Sequence, residues 1–465
     1  MAENRMAVTD TENESIRSRE NILSRIGKTL LLFLIVGTAV RLIMTPLLTY
    51  EYDIYHWGVI MQNINSGNGL YELTGYFYLP VWGYIMGFID MIWNTFLSVD
   101  VFGVSVTALF PMCDLEHIWH LSTITSPEFN TAMKIPLIIA DLIVGYLIHK
   151  TVFEITSDRR KADIAFGLWY LCPIVAYMSG SQAMFDNMSA MFLLMCIIFV
   201  RKNRYFLAGV FLSLATLLKL FPVVCSLILV LYVCKKYSEN DERIRRLALA
   251  VAGFIITAVI IMLPNIINGD LASTLTVITD RSSRNSLYSI MSVGLTIILE
   301  LLIAHRFYRK NEDPDRVLFK YIICAMVISF IMGLNPQYVI VIMPFLAIHI
   351  CTMDRSYSLC WWIIGFGSVL SAFIQDNFSL LSSISTFYGW ISPEWIVDMM
   401  VAFETRIFST PLVFCINTTF VILEYLGLLT VVIFMFKEDV SKKYPKIGKA
   451  IDKITSHWKE DEQNA

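Results

Sequence analysis

Apolar runs close to the length of a bilayer crossing recur between residues 29 and 436, and no other feature of the chain constrains its fold as tightly. About 20 apolar residues in a helix span the hydrocarbon core, where each backbone N–H and C=O must be paired within its own segment. Such runs lie near 29–48, 131–149, 163–180, 187–200, 247–264, 286–304, 317–334, 337–351, 357–374 and 411–436. Hydrophobic residues make up 56% of the 465 positions and mean hydropathy is +0.61, so the fold class is all-α and polytopic, within a membrane. Two regions stay open. Residues 79–113, interrupted by Asp90, Asp100 and Pro111, form either two crossings or an interfacial hairpin. Residues 205–234 break at Lys219-Leu-Phe-Pro222, because proline removes a backbone donor and biases its predecessor away from helix; two short helices are expected there.

The charge balance, 36 Lys and Arg against 39 Asp and Glu, gives no case for a nucleic-acid partner. The nine cysteines sit mostly in apolar segments without paired spacing, which argues against a disulfide framework or a zinc site. Residues 1–27 are polar and the first apolar run is long enough to span, so a cleavable signal peptide is not expected. Of the 36 cations, 30 fall in segments that share one face if each ambiguous region crosses an even number of times, which places both termini in the cytoplasm. The chain then divides into a cytoplasmic tail at 1–28, a multi-pass domain at 29–436 and a second cytoplasmic tail at 437–465. Within the domain, 49–130 forms a first external loop region with interfacial or re-entrant helices.

The opposite face receives Arg41, Lys134, Lys219, Arg281, Arg284 and Arg406, together with Asp53, Asp186 and Asn335-Pro-Gln-Tyr338. Asp53, in Glu51-Tyr-Asp-Ile-Tyr-His-Trp57, stands where the first span leaves the bilayer, among aromatic residues that favour the interface. A carboxylate so placed suits chemistry on a lipid-anchored substrate. Asp186 lies at the lip of a span, where an uncompensated charge is costly and marks a functional site. Lys219 either joins it there or snorkels to the surface. His117-Ile-Trp-His120 lacks a third ligand nearby and is read as interfacial.

These motifs, in their order, resemble those of GT-C membrane glycosyltransferases. The nearest branch is the polyprenyl-phosphate-sugar-dependent mannosyltransferases, which includes bacterial lipid-glycan enzymes and the GPI mannosyltransferases. Arg41-Leu and Asp53-Ile-Tyr-His-Trp57 resemble the first-loop motif, followed by Gly-Leu-Tyr71 and Tyr-x-Pro80. Lys134-x-Pro136, Asp141-Leu, Gln182 with Asp186, Ala208-Gly209 leading to Lys219-x-x-Pro222, and Asn335-Pro-Gln-Tyr338 leading to Pro344 complete the series.

The resemblance implies a GT-C-like bundle of roughly 10 to 13 transmembrane helices. It also implies inverting transfer of a hexose, mannose by preference, from a dolichyl- or polyprenyl-phosphate donor to a hydroxyl of a lipid-linked or glycan acceptor. Such a transfer needs a base at the acceptor hydroxyl, assigned to Asp53, and cationic donors for the departing phosphate, assigned to Arg281 and Arg284. His56, Trp57, Gln182, Asp186, Lys219, Gln337 and Tyr338 are assigned to the substrate pocket. Many members of the family it resembles carry a paired acidic motif in this loop, sometimes linked to a divalent metal. Here Glu51 and Asp53 could place two oxygen ligands on one Mg or Mn ion, although two carboxylates do not saturate a hard cation and Glu51 could equally face water. The alternative function is a flippase or transporter of a lipid-linked sugar, which also uses intramembrane charges and broken helices. The membrane would be the plasma membrane in a prokaryote and the endoplasmic reticulum in a eukaryote, with the site on the outer or lumenal face.

Overall fold

The computed structural model describes residues 27–71, 76, 78–96, 104–105, 123–269, 272, 274, 287–375, 379–403, 406–407, 410–446, 448–451 and 453. Helix α1 (Lys28–Leu47) is followed by two helices of the first loop, α2 (Glu51–Asn65) and α3 (Pro80–Phe96). Next come α4 (Pro127–Thr156), α5 (Arg159–Tyr170), α6 (Pro173–Tyr177) with the π-helical segment Met178–Gln182, and α7 (Asp186–Arg201). The chain continues through α8 (Tyr205–Leu218), α9 (Cys225–Lys236), α10 (Asn240–Ile267), α11 (Leu287–Arg309), α12 (Pro314–Ser329) and α13 (Met343–Thr352). It ends with α14 (Ser358–Gln375), α15 (Pro393–Phe403), α16 (Leu412–Met435) and α17 (Lys437–Lys443). The only extended pairings among the described residues are two-residue antiparallel ladders, Val104–Ser105 with Thr123–Ile124 and Arg406–Ile407 with Thr410–Pro411.

Six helices among the described residues are long and apolar enough to cross a bilayer: Lys28–Leu47, Pro127–Thr156, Asn240–Ile267, Met291–Arg309, Arg355–Gln375 and Leu412–Met435. Arg159–Tyr170 and Pro173–Gln182, bent by 50° at their junction, form either a broken seventh span or a re-entrant loop. The other expected spans are shorter helices or are divided. Residues 337–351 split into a 3-10 turn at Pro336–Val341 and α13, because Pro336 and Pro344 cannot donate to a continuous helical ladder. The break expected at Lys219 is present. The α8 helix stops at Leu218, Lys219 is extended (φ −140°, ψ 130°), and a 3-10 turn at Phe221–Val224 leads into α9. Asp90 does not interrupt its segment; it lies buried inside α3, accepting from Asn94 Nδ2 at 2.9 Å.

Apolar burial forms two cores. The larger, around Trp169, Tyr170, Ile322 and Phe345, ties the central helices together. The smaller, built on Ile54, Trp57, Trp82, Met133, Phe185 and Leu218, packs the first-loop helices onto the starts of α4 and α7 and the end of α8. The α8 and α10 helices meet backbone to backbone. A Cβ on Gly209 would lie 1.9 Å from the Ala250 carbonyl oxygen, and one on Gly253 would lie 2.1 Å from that of Phe206. Only glycine permits this approach, which locks the start of α8 against α10, at the end of α8 opposite Lys219.

Candidate active site

Beneath the site lies a buried polar node. Arg41, fully buried on α1, donates through Nε to Asp141 Oδ2 at 2.8 Å and to Ser179 Oγ at 3.1 Å. Its Nη1 donates to the carbonyls of Gly37 (3.1 Å) and Tyr170 (2.7 Å), and its guanidinium lies 4.2 Å from the Tyr170 ring centroid. Asn187 Nδ2 reaches the other Asp141 oxygen at 2.8 Å and the Leu137 carbonyl at 2.7 Å, while the Trp169 indole N–H bonds the Asp141 carbonyl at 2.8 Å. One guanidinium thus binds α1, α4, the end of α5 and the π-helical segment. Arg41 and Asp141, which carry two of the sequence motifs, act here as a buried frame.

A second node gathers the ends of the first loop. Lys134, fully buried on α4, donates to the carbonyls of Thr45 (2.9 Å) and Leu48 (2.8 Å) and to Thr49 Oγ1 (2.9 Å). A cation here also meets the negative end of the α1 dipole. Two residues after Thr49, Glu51 Oε2 accepts from the Thr125 backbone N–H at 3.0 Å and lies 2.9 Å from its hydroxyl, which is also 2.6 Å from Asn130 Oδ1. Glu51 is 1% exposed, and Oε1 has no hydrogen-bond partner among the described residues. Burial pushes its carboxyl up to about 7, opposed by the Thr125 hydrogen bonds and by Lys134.

The third node combines charge with aromatic rings. The π-helical segment closes at Ala183, whose left-handed backbone (φ 55°) is unusual for a residue with a side chain and turns the chain so that Asp186 opens α7. Asp186 Oδ2 lies 3.3 Å from Lys219 Nζ, with side-chain exposures of 0% and 3%. The ammonium also stands 4.5 Å from the ring centroid of Phe185, 4.7 Å from Tyr78 and 5.6 Å from Tyr338. Phe185 stacks on Trp82 at 4.6 Å, and Trp57 meets both edge-on at 6.1 and 6.0 Å. The buried Lys219 side chain is held here between the Asp186 carboxylate and ring faces, a setting that orients it. Snorkelling to the surface is therefore not its role.

Asp53 lies half-buried in the first turn of α2, one helical turn before Trp57. Side chains four apart share a helix face, so Asp53 stands on the same side as the indole that packs on Phe185 and Trp82. The α2 helix also packs on the π-helical segment that carries the buried Gln182. His56 turns to Tyr52, with ring centroids 4.6 Å apart and Nδ1 against the Tyr52 carbonyl. Tyr338 reaches the Lys219 cluster, packing on Phe221 at 5.2 Å; Gln337 sits beside it, half-buried, in the same 3-10 turn. Arg281, Arg284, His117 and His120 lie outside the described residues. Asp53 and Glu51 are two apart on a helix, so their side chains leave it about 200° apart. No group of three or more His, Cys, Asp or Glu side chains is gathered among the described residues.

The structure therefore brings Trp57, Asp186, Lys219 and Tyr338, all assigned to the pocket from sequence, to one place, and adds Tyr78, Trp82, Phe185, Asn187 and Thr125, which sequence reasoning did not assign there. Tyr78 is the tyrosine of Tyr-x-Pro80 and Phe185 borders Asp186, so aromatics within and beside the quoted motifs were the available signal. Thr125 carries no signal in sequence; only the closure of a long loop brings it to Glu51.

Comparison with known proteins bears on these nodes. A model described as glycosyltransferase family 87 matches residues 131–276, which run from α4 to just past α10 and contain Lys134, Asp141, Asp186 and Lys219 but neither Arg41 nor Asp53. GPI mannosyltransferase 1 of Saccharomyces cerevisiae is 26% identical over 109 residues, covering 23% of this chain and 26% of the yeast protein, so the match spans about a quarter of that relative. The chain is thus a multi-pass, all-α membrane protein similar to GT-C glycosyltransferases of the mannosyltransferase kind, with the family-model match including both Asp186 and Lys219.

Proposed function

We propose that this protein transfers one hexose, mannose by preference, from a polyprenyl- or dolichyl-phosphate donor to a hydroxyl of a lipid-linked or glycan acceptor, on the non-cytoplasmic face and with inversion. The observation that carries the reading is the meeting of the α2 face bearing Asp53 and Trp57 with the Asp186–Lys219 pair, across Phe185 and Trp82, where the pair lies within the segment matched by the glycosyltransferase family. An acceptor hydroxyl becomes acidic only as its bond to the anomeric carbon forms, so the base must already stand beside it; Asp53 takes that proton. The C–O bond to the lipid phosphate breaks as the new one forms, and charge grows on the departing phosphate oxygens. Arg281 and Arg284 meet that charge as bidentate donors, while Lys219, fixed by Asp186, adds a preorganised positive field. Both termini lie in the cytoplasm.

The test is incubation of purified protein, reconstituted with a lipid extract of its source membrane, with polyprenyl-phosphate mannose, glucose or arabinose. Product lipid is read by mass spectrometry. Release of polyprenyl phosphate with a hexose added to an acceptor is the expected result, and Asp53→Asn should lower turnover by about 10² to 10⁴. Movement of intact donor across the bilayer without its cleavage would replace this reading with a flippase. Near-normal turnover in Asp53→Asn with none in Asp186→Asn would move the base to the second loop.

A further inference from the structure

Glu51 is the acidic residue closest in sequence to Asp53, and its side chain is turned away from it. Its Oε2 is engaged by both the N–H and the hydroxyl of Thr125, its exposure is 1%, and the helical path from Glu51 onward sends the Asp53 side chain to another face. Thr125 immediately precedes the Ser126 cap of α4, where Ser126 Oγ accepts from the Phe129 N–H at 3.2 Å. It is further held by Asn130, whose Nδ2 donates to the Thr125 carbonyl at 3.3 Å. The bond between Glu51 and Thr125 therefore joins the two ends of the first external loop, and the Lys134–Thr49 bond beside it ties the same ends again.

We propose that Glu51 is a positioning residue: through Thr125 it clasps the start of α2 to the start of α4, and so fixes where Asp53 stands, in place of serving as a cation ligand beside it. The proposal rests on the assignment of Asp53 as the base. The Thr125 bonds hold the first turn of α2 from across the loop, and a side chain two residues downstream moves with that turn. A displacement of about 1 Å at a reacting group is enough to reduce turnover by about 10². Because the clasp acts on geometry at the base and touches no substrate, its loss belongs in kcat, with KM for the donor little changed.

The experiment uses the full-length protein, reconstituted with a lipid extract of its source membrane, with polyprenyl-phosphate mannose as the probe. Kinetics are compared among Thr125→Val, Thr125→Ser, Glu51→Gln, Glu51→Ala and Asp53→Asn. Thr125→Val keeps the size and the backbone bond but loses the hydroxyl, and should lower kcat about tenfold at unchanged KM; Thr125→Ser should restore it to within about twofold. Glu51→Gln still offers an acceptor to Thr125 and should keep kcat within about threefold, whereas Glu51→Ala should lose about 10². Inactive Glu51→Gln beside wild-type Thr125→Val would overturn the clasp and make Glu51 a charge or cation ligand. If Asp53→Asn is inactive while Thr125→Val and Glu51→Ala keep full kcat, the clasp alone fails. Full turnover in Asp53→Asn would instead sink the base assignment. Should Glu51→Ala not fold, the Thr125→Val and Thr125→Ser pair decides the question.

Discussion

Replacing Lys219 by Met removes an ammonium but keeps an unbranched chain of similar volume, so the change isolates charge. The ion pair with Asp186 spans 3.3 Å between groups that are 3% and 0% exposed. Two unit charges at that separation attract by roughly 5 kcal/mol at an effective dielectric constant of about 20. Desolvation of both groups offsets much of this in the intact protein, but removing one partner leaves the other buried without its counter-charge, at a cost of about 3 to 5 kcal/mol. Asp186→Asn should cost less than Lys219→Met, because the lysine keeps the ring faces of Phe185, Tyr78 and Tyr338, each contributing on the order of 0.5 to 2 kcal/mol. The double variant Lys219→Met with Asp186→Leu puts apolar groups in both places and should recover most of the lost stability, while turnover stays absent. Thermal unfolding of the detergent-purified variants, paired with polyprenyl-phosphate release, measures both quantities. Turnover within a few-fold of wild type in the stable double variant would reduce the pair to a structural strut. Single variants no less stable than a surface substitution would refute the energetic argument itself.

The α8–α10 crossing gives a steric test. Gly209→Leu drives a Cβ into the Ala250 carbonyl and should destabilise by about 1 to 3 kcal/mol or more, whereas Gly294→Leu, with nothing within 4 Å, should be close to neutral in the same melting assay. Topology is open to labelling. A cysteine at the exposed Asn68 should react with an impermeant thiol reagent applied from outside and one at Asn240 should not, once native cysteines are controlled for; the reverse pattern would invert the assigned orientation.

The membrane class, the positions of most helices and the break at Lys219 were legible in the sequence, because the bilayer imposes length and apolarity on each segment locally and because proline acts on its own neighbours. Asp186, Lys219 and Tyr338 were legible as candidates for a related reason: a charge or a polar turn next to an apolar run is visible without knowing what it touches. What each charge does was not legible, since a partner 33 or 100 residues away is chosen by packing. Arg41 and Lys134, counted as cations of the outer face, prove to be buried fasteners, one on Asp141 and the other on the end of α1. Glu51 and Asp53, two apart in sequence and alike in chemistry, were separated only by the folded structure. A helix beginning at Glu51 turns the two carboxyls apart, and the return of Thr125 after the first loop then takes Glu51 out of water and leaves Asp53 half-exposed.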